Sequence, residues 1–120
     1  MSKSSGGWIG VDLDGTLAHY EGWVSIDHIG KPVAPMIQRV QQWLADGKTV
    51  KIFTARIHGH GKPIIGGGVA DVKTPIEEWC KKHIGRVLEI TNVKDFGMIE
   101  LWDDRAVQVQ LNAGLPVVKV

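Results

Sequence analysis

The sequence predicts an α/β fold, a three-layer Rossmann-like parallel sheet with helices on its faces, and three observations predict it. Short apolar runs of strand length alternate along the chain with apolar stripes of helical period. The runs end in Asp12-Leu13-Asp14, Thr54-Ala55-Arg56 and Asp103-Asp104-Arg105, as expected where ligands gather beyond the carboxyl ends of parallel strands. With 120 residues, 43% of them hydrophobic, the chain can fill one sizeable core and not two, so residues 1–120 are expected to form a single domain.

Trp8-Ile9-Gly10-Val11 is a near-continuous apolar run that stops at Asp12, the pattern of a strand buried on both faces. Met36, Ile37, Val40, Trp43 and Leu44 then follow the i, i+1, i+4, i+7, i+8 spacing of an amphipathic helix. Pro35 suits its first turn and Gly47 its C-terminal cap. Val50 to Phe53 reads as the second strand and delivers Thr54-Ala55-Arg56 at its carboxyl end.

Residues 58–68 contain five glycines and one proline without periodicity, which predicts a glycine-rich loop over 57–72. Thr74 and Glu77 have capping-box spacing, and Pro75 fits the first helical position. Ile76, Trp79, Cys80, His83 and Ile84 continue the helical stripe until Gly85. Val87 to Ile90 and Ile99 to Trp102 are the remaining strands, and Val117 to Val120 is an expected edge strand.

Fourteen Lys and Arg against thirteen Asp and Glu leave a formal charge of +1, so no global field recruits nucleic acid or an anionic membrane. Cys80 is the single cysteine, which excludes an internal disulfide and points to the reducing cytoplasm. No apolar run approaches the roughly 20 residues of a membrane span, and the first residues do not read as a signal peptide.

The strand ends together hold four acids, Asp12, Asp14, Asp103 and Asp104, with Thr54 and Arg56, while Lys94 lies in the loop before the acidic pair. Carboxylates crowded at one rim repel unless a cation sits among them, and magnesium takes hard oxygen ligands together with a substrate phosphate. An aspartate can also attack phosphorus to form an aspartyl-phosphate. Arg56 and Lys94 supply positive charge, and Thr54 supplies a hydrogen bond to a transferring oxygen.

Asp12-Leu13-Asp14-Gly15-Thr16-Leu17 resembles the DxDGT signature of the haloacid dehalogenase superfamily. Phe53-Thr54-Ala55-Arg56 is similar to that family's second motif, Val93-Lys94-Asp95 to its third and Trp102-Asp103-Asp104-Arg105 to its fourth, all in the family's order. The resemblance implies a magnesium-dependent phosphomonoesterase. Asp12 would be nucleophile and metal ligand; Asp14 would be general acid and base, its backbone carbonyl on the metal. Thr54 and Lys94 would hold the phosphoryl group. Asp104 would complete the metal shell and Asp103 would orient waters or Lys94. Arg56, as a substrate-binding residue, is similar to the arginine of polynucleotide kinase-phosphatases, whose fourth motif is also Asp-Asp-Arg. That likeness implies nucleotides or nucleic-acid phosphate ends as substrates, beside sugar phosphates.

Neither gap between motifs is long enough for a cap domain, so residues 18–33 are expected to form a small flap. The open site that results fits a macromolecular substrate, or a small one if a homo-oligomer partner covers it. Trp23, in the flap, is placed to stack on a substrate ring. His58 and His60 lack the three or four ligands that zinc requires. Two other readings stay open: a non-catalytic protein of the same fold that binds phosphate or a partner, and a receiver-like phospho-acceptor domain.

Overall fold

The computed structural model describes residues 6–117. β1 (Trp8–Val11) is buried along its whole length. It pairs in parallel with β2 (Thr49–Phe53) on one side and β4 (Met98–Trp102) on the other, and β2 pairs in parallel with β3 (Glu89–Thr91). The result is a four-stranded parallel sheet in the order β3-β2-β1-β4. All four strands overlap the apolar runs of the sequence: β1 coincides with its run, and the other three differ from theirs by one or two residues at one or both ends.

Two helices complete the element order, α1 (Ala34–Ala45) between β1 and β2, and α2 (Thr74–His83) between β2 and β3. Pro35 stands in the first turn of α1, and Gly47, at φ +81°, accepts the left-handed backbone that ends it. At the start of α2 the expected capping box is replaced. Asp71 accepts the N–H groups of Lys73 and Thr74 at 3.2 and 3.1 Å and the Thr74 hydroxyl at 2.6 Å. Thr74 is thereby the first helical residue rather than the cap.

Both helices bury their stripes against one face of the sheet. Met36, Ile37 and Val40 of α1 and Ile76, Trp79 and Cys80 of α2 share a single core with Ile9, Val11, Val50, Ile52 and Ile90, which the parallel register sets side by side on one face. Of the three layers expected from the sequence, two are present among the described residues. The reason is the connection from β3 to β4. It must cross the whole sheet in residues 92–97, too few for a helix that would cover the opposite face.

That loop crosses toward the amino end of β1 instead. Trp8 donates its indole N–H to Asp95 at 2.9 Å and its backbone N–H to the Gly97 carbonyl at 2.7 Å. Gly97 is needed here, because a β-carbon on it would stand 2.9 Å from the indole ring.

Residues 57–72 are more ordered than their glycines predict. Ala55–Gly59 forms a 3-10 turn, and Pro63 bridges Val69 in antiparallel fashion, closing a short hairpin. Val109 bridges Pro116 in a second hairpin near the end of the chain. The edge strand expected at 117–120 lies, from residue 118 onward, outside the described residues. Among the described residues no helix is long and apolar enough to cross a membrane.

Candidate functional site

The sheet order defines where a ligand crevice belongs. From β1 the chain winds outward through β2 to β3 and then returns to place β4 on the other side of β1, so the topological switch point lies between the carboxyl ends of β1 and β4. The Asp12 N–H extends the ladder to the Trp102 carbonyl at 2.9 Å, and Asp12 and Asp103 therefore leave neighbouring strands side by side. Trp102 is fixed from behind by α1: its ring meets Trp43 edge-on at 5.2 Å and lies 4.9 Å beneath the Arg39 guanidinium.

After β1 the chain folds into a tight turn. The Leu17 and Ala18 N–H groups reach back to the Leu13 carbonyl at 3.0 and 2.8 Å, and Leu13 and Leu17 are fully buried. With those two side chains drawn into the core, Asp12, Asp14 and Thr16 are left for the cleft side. Gly15 stands at φ +92°, and a β-carbon there would approach Asp104 Oδ2 to 2.7 Å. Glycine thus admits both the turn and the close passage of Asp104.

Asp12, Asp103 and Asp104 each offer a carboxylate oxygen, and these oxygens all lie within 4.8 Å of one another. Thr16, which the sequence reading quoted without a role, ties the group together. Its oxygen accepts the Asp104 N–H at 2.9 Å, and its hydroxyl stands 3.2 Å from Asp104 Oδ1 and 3.4 Å from Asp12 Oδ2. Asp103 accepts the Arg105 N–H at 2.7 Å. Burial pushes the Asp12 carboxyl up to about 7, helped by a hydrogen bond with Asp104 and by the charges of Asp103, Asp104 and Asp14. A proton or a cation is what such a cluster lacks. Three hard oxygen donors at this spacing suit a small divalent ion that keeps several waters and takes a phosphate oxygen.

Asp14 points elsewhere and adds no carboxylate to that cluster. It is held bidentately by Arg56, with Nε to Oδ2 at 2.7 Å and Nη2 to Oδ1 at 3.0 Å. Arg56 also donates to the carbonyls of Ser25, Ile26 and His28 at 3.4, 3.1 and 2.8 Å, which engages all five of its N–H donors. The substrate role expected of Arg56 therefore finds no free N–H; the residue fastens Asp14 to the flap. The flap is also closed at its neck, where the His19 N–H meets the Lys31 carbonyl at 2.8 Å and the Trp79 indole meets the Gly30 carbonyl at 2.9 Å.

Thr54 is 3% exposed. Its oxygen accepts the Arg56 N–H at 3.2 Å, and its own hydrogen remains to donate into the cleft that it lines. Lys94 does not line this cleft. It stands one residue before Asp95, whose carboxylate is held by Trp8 at the start of β1. At about 3.3 Å per residue, Trp8 and Asp12 are about 13 Å apart along the strand. No sequence signal gives that direction, because it depends on where the loop crosses.

The cleft over these residues has a volume of about 770 Å³, within the range of about 300–1,000 Å³ typical of small-molecule sites. Its charged side is formed by Asp12, Asp14, Asp103, Asp104 and Arg105, and its apolar side by Tyr20, Trp23 and Ile26 of the flap with Phe53, Ala70 and Val72. Tyr20 and Ile26 were not singled out from the sequence, where nothing marks them as facing the strand ends. No family model, curated protein or solved structure matches this chain.

Proposed function

We propose that the protein is a magnesium-dependent phosphomonoesterase of the haloacid dehalogenase type, without a cap domain, in which Asp12 attacks phosphorus. The observation that carries the reading is the cluster of Asp12, Asp103 and Asp104 oxygens within 4.8 Å at the switch point of a parallel sheet. Their carboxylates would hold the metal, together with the Asp14 backbone carbonyl that the resemblance implies. Magnesium, when bound, would neutralise the charge gathered between these carboxylates and the substrate phosphate.

A carboxylate oxygen of Asp12 would form a bond to phosphorus as the bond from phosphorus to the leaving oxygen breaks. The leaving alkoxide takes its proton from the Asp14 carboxyl. Water then attacks phosphorus and gives a proton back to Asp14, releasing inorganic phosphate and restoring the Asp12 carboxylate. Arg56 uses one lone pair on each Asp14 oxygen, which leaves a second on each for the proton. Thr54 would donate its hydroxyl hydrogen to a transferring oxygen, and Arg105 would supply positive charge where Lys94 was expected. A cytoplasmic setting belongs to the same reading: the single thiol, Cys80, is buried and pushed up to about 12 by that burial, so it is protonated and unreactive.

The placement of Lys94 favours a second reading, a phosphate-binding protein of the same fold that does not turn over. Hydrolysis of nucleotides, sugar phosphates and 3′-phosphorylated oligonucleotides with magnesium, measured against Asp12→Asn, separates the two. Phosphate release that requires both magnesium and Asp12 supports the esterase, and magnesium-dependent binding without release supports the alternative.

A further inference from the structure

We propose that the cleft takes a phosphomonoester whose leaving group carries a planar aromatic ring, and that Trp23 is the platform on which that ring lies. The inference rests on the phosphomonoesterase reading for the phosphate and goes beyond it for the rest of the substrate. A phosphate group and a metal need only the carboxylate end of a cleft of about 770 Å³. The remaining space is walled by Tyr20, Trp23, Ile26, Phe53, Ala70 and Val72, an apolar surface of which three residues are aromatic.

Trp23 is 57% exposed, yet it is fixed in place. The Arg56 guanidinium lies 4.9 Å from its ring centroid and is itself immobilised by Asp14 and by the carbonyls of Ser25, Ile26 and His28, on the same flap. An indole held on one face by a cation, while more than half exposed and part of the cleft lining, is ordered before any ligand arrives. Stacking a flat ring on it removes apolar surface from water without further ordering of the flap. The same arginine holds Asp14, so the platform and the proposed acid are set relative to each other by one side chain.

The test compares matched phosphates with and without a ring, adenosine 5′-monophosphate against ribose 5-phosphate, in wild type and in Trp23→Ala, Trp23→Leu and Trp23→Phe. Magnesium-dependent binding is followed by calorimetry and KM by phosphate release, with circular dichroism to check folding. The expected result is a ring preference in wild type that falls about ten- to a hundredfold in Trp23→Ala and Trp23→Leu and is retained in Trp23→Phe. A 3′-phosphorylated dinucleotide in the same series tells an oligonucleotide end from a free nucleotide as the source of the ring. Equal binding of the two monophosphates, or a preference that survives in Trp23→Ala, overturns the platform. If binding is ring-dependent but no phosphate is released, the platform stands and the esterase reading falls. If Asp12-dependent release shows no ring preference, the esterase stands and the platform falls.

Discussion

Asp12 carries a charge that its surroundings penalise, and its neighbours Gly15 and Thr16 explain how such a residue is tolerated. The half-buried carboxyl is pushed up to about 7 by burial first and by Asp104, Asp103 and Asp14 next. If Asp12 is the proposed nucleophile, replacing it with a neutral isostere is expected to lower phosphate release roughly a thousandfold or more without lowering the unfolding temperature in chelator. A loss of stability with activity intact would refute the assignment. Gly15→Ala should act the other way. It forces a β-carbon into the left-handed region and toward Asp104, at a cost of about 1–2 kcal/mol, and on the proposed magnesium site it should weaken any stabilisation by the ion as Asp104 moves. Thermal melts with and without the ion read both effects.

Among the elements, the flap and the β3–β4 loop are each held in part by one long-range side-chain contact, Arg56 at the flap and Trp8 at the loop. Arg56→Lys keeps the charge and loses the fork that spans Asp14 and the flap carbonyls. Hydrogen exchange of residues 20–29 is expected to rise several-fold while β1 and β2 stay protected; unchanged flap exchange would show that Arg56 is no clasp. The loop offers a pH test. The Trp8 indole N–H, followed by the Gly97 N–H, holds the Asp95 carboxyl below the usual carboxylate range. Its folded value is depressed, so its contribution to stability is present above the ordinary carboxylate value and is lost as pH falls through the lowered one. Asp95→Asn should flatten the fall of the urea midpoint, relative to wild type, as pH drops below the ordinary aspartate value of about 3.9. The cap is tested by position: Asp71→Ala removes the acceptor that starts α2 and is expected to lower the unfolding temperature.

For the whole molecule, a cation bound only by the folded carboxylate cluster must stabilise the fold by linkage. At a hundredfold excess over its dissociation constant the gain is about 2.7 kcal/mol, several degrees in unfolding temperature for a chain of this size. Asp104→Asn should remove most of that gain. A shift of equal size in the variant would place the ion elsewhere.

The strands and helices were legible in the sequence because burial on a sheet or along a helix imposes a local period, which Ile76-Trp79-Cys80 and Met36-Ile37-Val40 display. The positions of Asp12, Thr54 and Asp103-Asp104 after their strands were legible for the same reason. Their convergence needed the strand order, which no local pattern contains. Three matters were decided by the tertiary structure alone. Both helices share one face, because the chain winds from β1 to β3 in one direction and returns through a loop too short for a helix. Lys94 is left out of the cleft lining, in a loop whose next residue, Asp95, is tied to Trp8. Arg56 is occupied by Asp14 and the flap because residues 28 to 42 positions apart in sequence meet only after folding. Periodicity records what each segment buries, whereas partners distant along the chain are chosen by packing.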